Sequence, residues 1–201
     1  MKRTYLILSA LMLTACAKAD DDAVRVIMET SAGEIVMDVY PDKAPVSANN
    51  FLHYVDEGLY EGATIYRTTR PDNDPMIEVI QGGLWTPANL ESDDGFIPPL
   101  PPVDHETTDV TGLTHGDGVI SLARLEPGTA SSEFFITIGA NHELDFGGDR
   151  HPDGQGFAAF GKIVSGMDVA RAIQLSPTVD MEGAEQLLVS PVEIVSIKRQ
   201  E

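Results

Sequence analysis

One cysteine, one tryptophan and only 13 Lys and Arg among 201 residues set the first limits on what this chain does. A lone cysteine forms no internal disulfide and excludes a zinc site built on paired Cys-x-x-Cys ligands. The 13 cations face 32 Asp and Glu, a formal net charge of −19. Nucleic acid is therefore a poor partner, because phosphate neutralisation needs Lys and Arg, and anionic lipid head groups exert no pull. No apolar run approaches the roughly 20 residues of a membrane-spanning helix. Sustained helical periodicity is also scarce. The chain has instead 18 glycines and 13 prolines, which favour a loop-rich, strand-rich fold, and 42% apolar residues, enough for a globular core. The length fits one domain with a tail.

Residues 1–16 read as an address. Lys2 and Arg3 make a cationic start, residues 4–13 a short apolar stretch, and Leu13-Thr14-Ala15-Cys16 its close. That close resembles the lipobox of bacterial lipoproteins. The resemblance implies a signal peptide over residues 1–15 and lipidation of Cys16. The other reading of the same residues is an ordinary secretory signal with an incidental cysteine. Loss of Lys2 and Arg3 takes the formal charge to −21, and anchoring comes from acyl chains. Ala17 stands where an aspartate would resemble an inner-membrane retention signal, so the expected location is the bacterial cell envelope, periplasm-facing, with the outer membrane favoured. Residues 16–23, with Asp20-Asp21-Asp22, read as the lipidated cysteine and a solvated tether, and residues 24–201 as the folded domain.

In that domain residues 24–30 and 34–40 read as a hairpin around Gly33, with Ile35, Met37 and Val39 on one face. Residues 47–57 place Ala48, Phe51, Leu52 and Val55 at helical spacing, with Gly58 at the stop. Residues 63–67, 77–81, 119–123, 134–138, 157–164 and 189–198 are further strand candidates, and Val169, Ala172 and Ile173 suggest a short second helix after Gly166. This pattern predicts a mainly β fold, a closed eight-stranded antiparallel barrel capped by two α-helices, rather than βαβ units. Residues 84–118 form a long irregular connection. Within it the run Ile97-Pro98-Pro99-Leu100-Pro101-Pro102 favours polyproline II and reads as a stiff surface crossing rather than a ligand for a proline-binding module.

Three pieces then stand in order. The first is Ile65-Tyr66-Arg67 followed, after an insertion, by Glu78-Val79-Ile80-Gln81-Gly82-Gly83. The second is Gly118-Val119-Ile120-Ser121-Leu122-Ala123-Arg124. The third is Ser131-Ser132-Glu133-Phe134-Phe135-Ile136, with Leu144-Asp145 and Phe157-Ala158-Ala159-Phe160-Gly161-Lys162 beyond it. The ordered set resembles the cyclophilin family of peptidyl-prolyl cis-trans isomerases over residues 24–198. The resemblance implies a barrel of eight strands with two capping helices, no cofactor, and proline-containing segments of unfolded or exposed proteins as partners; a monomer without metal is expected, and the address implies that it assists folding in the envelope.

The reaction explains the residue types. Rotation about an X-Pro bond is opposed by about 18–20 kcal/mol of amide resonance. No bond breaks, so the need is for a group that stabilises the twisted amide as its nitrogen becomes pyramidal. The resemblance assigns this to Arg67, whose guanidinium is permanently charged and donates from a rigid fork. It also assigns Phe135 to the floor of a proline pocket with Val79 and Leu144 as walls, Gln81 to orienting the peptide and Arg67, and Ala123 to a rim that substrate backbone can approach.

Departures from the family pattern are as informative. Ile65-Tyr66 replaces Phe-His, Glu133 replaces a glutamine, Glu78-Val79 replaces Phe-Met, Glu143 replaces a tryptophan, and Phe157 stands at the pocket histidine. Loss of that tryptophan implies weak inhibition by cyclosporin. Glu133 either orients the guanidinium or competes with substrate for it. These changes keep a second reading open: a proline-peptide-binding, chaperone-like lipoprotein on the same fold with little or no turnover. Elsewhere, Phe134 reads as core, Trp85 as packing, His105 and His115 as loop histidines, and Asp145, Asp149 and Asp153 as parts of a glycine-rich surface loop rather than a calcium site.

Overall fold

The computed structural model describes residues 23–91 and 95–200. The signal, Cys16 and the tether up to Asp22 lie outside the described residues. Nine strands form one antiparallel sheet: β1 (Val24–Thr30), β2 (Gly33–Val39), β3 (Thr64–Thr68), β4 (Val79–Gly83), β5 (Val119–Leu122), β6 (Phe134–Thr137), β7 (Ala158–Ser165), β8 (Thr178–Met181) and β9 (Ala184–Arg199). Their order is β1-β2-β7-β5-β6-β4-β3-β9, and β9 returns to pair with β1. The ring is an eight-stranded barrel, as expected, and β8 is a ninth strand hung on the outer end of β9.

Three α-helices accompany it among the described residues: α1 (Pro45–Asp56), the single turn α2 (Thr108–Thr111) and α3 (Met167–Gln174). The periodicity located α1 and α3. Pro45 starts α1 two residues earlier than the apolar stripe suggested, since proline's fixed φ suits the first helical position. Ala44 offers no side-chain cap. The open N–H groups go instead to Glu106, sixty residues away: Val46 N donates to Oε1 at 3.1 Å, and Ser47 N and Oγ donate to Oε2 at 2.7 Å. The turn α2 has too few residues to carry a period, and β8 is exposed on both faces.

Alternation along the strands sorts side chains into two sets. Met28, Met37, Ile80, Ile120, Phe134 and Phe160 point inward and join Phe51, Tyr54 and Tyr60 in the core. Phe51 closes the packing, its ring 5.1 Å from Phe160 and 5.7 Å from Phe134. Outward-facing Val79 on β4 and Phe135 on β6 join Ile77 and Leu144 from the neighbouring connections in a second, smaller cluster, with Ala123 and Phe157 against it.

Candidate active site

The site begins with an irregularity in β3. Ile65 pairs with Gly82 and Arg67 with Gln81, so Tyr66 is an extra residue with no partner on β4. Such a bulge re-aims the side chains that follow it. Ile65 lies in the core, and strict alternation would send Arg67 inward with it. The extra residue restores Arg67 to the outer face beside Gln81. Gln81 in turn pairs with Phe135 on β6. Arg67, Gln81 and Phe135 thus form a row across three strands, roughly 10 Å from first to last at normal strand spacing.

The guanidinium is half-buried and held on three sides. Nη1 donates to Gln81 Oε1 at 3.0 Å, Nη2 to Gln186 Oε1 at 2.9 Å, and Nε to the Glu185 carbonyl at 3.1 Å. Burial lowers the pKa of Arg67, and the nearby charge of Arg150 adds to the effect. Gln186 has φ +61°, the left-handed region, which places its side chain over β3 from the β8–β9 hairpin.

Beside this row lies the apolar recess. Phe135 is 4% exposed. Phe157 meets it edge-on at 5.4 Å and His115 stacks on it at 5.8 Å. Val79 and Leu144 complete the enclosure. His115 lies in the loop before β5, as the sequence suggested, and is fully buried there. Its ring Nδ1 and backbone N both bond Asp145 Oδ1, at 2.7 and 2.9 Å, and Nε2 lies 3.1 Å from Ser121 Oγ. Burial alone would raise the Asp145 carboxyl, but its bonds with His115 outweigh that and hold it below the usual range. Phe157 is backed by Arg124, whose guanidinium sits 5.2 Å from its ring centre and pairs with Asp153. Asp145 and Asp153 are therefore engaged within the protein.

On the other side of Arg67 and Gln81 opens a groove of about 1060 Å³. Tyr66, Arg67, Gln81, Ala123 and Glu133 line it, with residues 181–185 of the β8–β9 hairpin as one wall. Ala123 borders both groove and recess. Glu133 does not reach Arg67. Its Oε1 accepts from Leu84 N, Trp85 N and Ser132 Oγ at 2.8 to 3.0 Å, and its Oε2 from the Tyr66 hydroxyl at 2.7 Å. Burial raises its pKa. The carboxylate presses directly on Gly83, where a Cβ would collide with it. Trp85 covers Tyr66, ring centres 4.8 Å apart.

All eight non-covalent site candidates thus fall in one region. Arg67, Gln81, Ala123 and Glu133 lie on the groove; Val79, Phe135, Leu144 and Phe157 make the recess, counting Arg67 as the catalytic candidate. Cys16 lies outside the described residues. The sequence did not reveal Gln186, Glu185 or the Tyr66–Glu133 bond, which join residues far apart in the chain. The available signal was Glu182-Gly183, a two-residue turn between paired Met181 and Ala184. Among the described residues no three His, Cys, Asp or Glu side chains converge as metal ligands.

A family model described as cyclophilin type peptidyl-prolyl cis-trans isomerase/CLD matches residues 25–199. A peptidyl-prolyl cis-trans isomerase of Acinetobacter baylyi is 32% identical over 98% of this chain and 95% of its own. Peptidyl-prolyl cis-trans isomerase A of Dickeya dadantii is 34% identical over 96% and 94%. In three dimensions, the crystal structure of a cyclophilin type isomerase of Cryptosporidium parvum superposes with a TM-score of 0.67 at 20% identity, covering 89% of this chain and 98% of that one. The same protein in the presence of the dipeptide Ala-Pro gives 0.67 as well.

Proposed function

The chain belongs to the cyclophilin-type peptidyl-prolyl cis-trans isomerase family, and from that premise we propose that it turns X-Pro bonds of exported proteins while tethered to the bacterial envelope. The observation that carries the reading is the row from Arg67 through Gln81 to Phe135: a fixed cation beside an apolar recess. A proline ring seated against Phe135 and Phe157 is immobilised while the preceding carbonyl swings. Arg67 then donates to the prolyl nitrogen as it loses conjugation, or holds the adjacent carbonyl. Either contact strengthens only as the amide twists, which is the condition for lowering a barrier. About 5.5 kcal/mol of such differential stabilisation accelerates rotation about 10⁴-fold.

Val79, Gln81, Ala123, Leu144 and Phe157 serve as substrate contacts in this reading. Cys16 carries the lipid, the outer membrane is the favoured site, and the clients are unfolded or exposed segments of periplasmic proteins, met by a monomer. What supports the address is the signal-like start and its closing Leu-Thr-Ala-Cys.

The test is a protease-coupled prolyl peptide assay on the full chain in mild detergent. Arg67→Ala should lower kcat/KM by about 100-fold, the scale of losing one transition-state donor, with an unchanged circular dichroism spectrum. An unaltered rate in that variant would refute the assignment. Undetectable turnover by the natural chain, with peptide binding retained, would favour the chaperone-like alternative motivated by Glu133, Glu143 and Phe157.

A further inference from the structure

Arg67, Gln81, Tyr66 and Glu133 are joined by an unbroken line of hydrogen bonds whose direction is dictated at both ends. A guanidinium has only donors, so Gln81 must turn Oε1 toward Arg67 Nη1, at 3.0 Å. Its amide nitrogen then faces away and donates to the Tyr66 oxygen at 2.8 Å. The Tyr66 hydroxyl is left with its proton to give, and gives it to Glu133 Oε2 at 2.7 Å. An ionised carboxylate only accepts. Its other oxygen already takes three donors, from Leu84, Trp85 and Ser132.

We propose that Glu133 is a positioning residue: its ionised carboxylate polarises the Tyr66–Gln81 line and thereby fixes the acceptor that aims Arg67 at the substrate amide. The proposal rests on the reading of Arg67 as the catalytic group. It assigns Glu133 to Arg67 through two intermediaries rather than to the peptide. A proton on Oε2 turns the carboxyl into a donor toward Tyr66. Either the Tyr66 proton then loses its acceptor inside the protein, or Gln81 turns over and sets its amide nitrogen against the guanidinium. Both outcomes loosen Arg67.

The surroundings make that protonation accessible. Tyr54 of α1, Tyr60 of the turn after it, and Tyr66 of β3 feel the Glu133 charge, and burial raises its carboxyl above the ordinary 4.5. Arg67 stands next to Tyr66 on β3, and Arg124, Glu182 and Glu185 face the same groove.

The experiment measures kcat and KM between pH 4.5 and 8 for the full chain, Glu133→Gln and Tyr66→Phe. Glu133→Gln keeps the shape and the acceptor for Leu84 and Trp85, but its amide nitrogen reverses the line. Its kcat should fall about tenfold at pH 7, the scale of one lost hydrogen bond, with KM changed less than kcat. The natural enzyme should lose kcat as pH falls and approach the variant, which should be flat. Tyr66→Phe should show the same loss and the same flatness, and the double variant should be no worse than either. The thermal midpoint of Glu133→Gln at pH 7 should not fall, because the amide leaves no buried charge. Full kcat in Glu133→Gln, or an acid limb it shares with the natural enzyme, overturns the proposal. Should Glu133→Gln fail to fold, Tyr66→Phe decides alone: a natural rate and pH profile overturns it. If the natural enzyme is active and Arg67→Ala silences it while these variants do not, only the relay fails. If the natural enzyme is inactive, the functional reading fails first.

Discussion

Asp145 illustrates how a single carboxylate supports the recess without touching substrate. It receives two bonds from His115, whose ring backs Phe135. Its folded pKa lies below the unfolded value near 3.8. A depressed carboxyl adds stability above that value, and the contribution disappears as pH falls through the folded pKa. Asp145→Asn should therefore be less stable at pH 7 and show a shallower loss of stability below about pH 4. Urea titrations at successive pH values check this; parallel curves for the two proteins would show that Asp145 carries no such linkage. Glu133 has the opposite sign. Its raised pKa contributes stability below 4.5 that is lost as pH rises through the folded value, so its ionised form costs the fold something and is retained despite that.

Among the elements, α1 depends on a residue outside itself. With Ala44 at its cap position, the helix start is satisfied by Glu106 from the long connection. Glu106→Ala should cost about 1–2 kcal/mol, the scale of a lost N-cap, seen as a lower urea midpoint with full activity at 25 °C. No change in midpoint would mean that water replaces the carboxylate without loss. The same contact shows where reading the sequence succeeds and stops. Phe51 and its apolar neighbours announce α1, and alternation announces β2, because each pattern is local. The Gln81-Gly82-Gly83 and Glu133-Phe134-Phe135 pieces placed β4 and β6 within two residues. Glu106 at the helix start, the Tyr66 bulge and Gln186 over Arg67 are set by distant partners, which no local period encodes. Strand β8 escaped because exposed Val179, Asp180 and Met181 show no alternation of burial.

At the scale of the whole molecule, charge is the dominant trait. A net −19 produces a field that attracts cationic chains at low ionic strength. The groove carries Glu133, Glu182 and Glu185 against Arg67 and Arg124. Prolyl peptides flanked by Lys should thus be turned over with higher kcat/KM than those flanked by Glu. The gap should narrow between 10 mM and 500 mM salt, as the screening length shrinks from about 30 Å to a few ångströms. Equal rates at low salt would exclude steering.

The pairing of β1 with β9 has a consequence in time. Val26 lies opposite Arg199 and Met28 opposite Ile197, so the first strand of the barrel waits for the last. A nascent chain emerging in order, from a ribosome or through any narrow passage, holds β1 with one unpaired edge until nearly the whole polypeptide has appeared. Loop closure of that span is slow relative to local pairing. Maturation of this isomerase is for that reason a post-synthetic event, and an interrupted copy would expose two raw sheet margins instead of a shorter working enzyme.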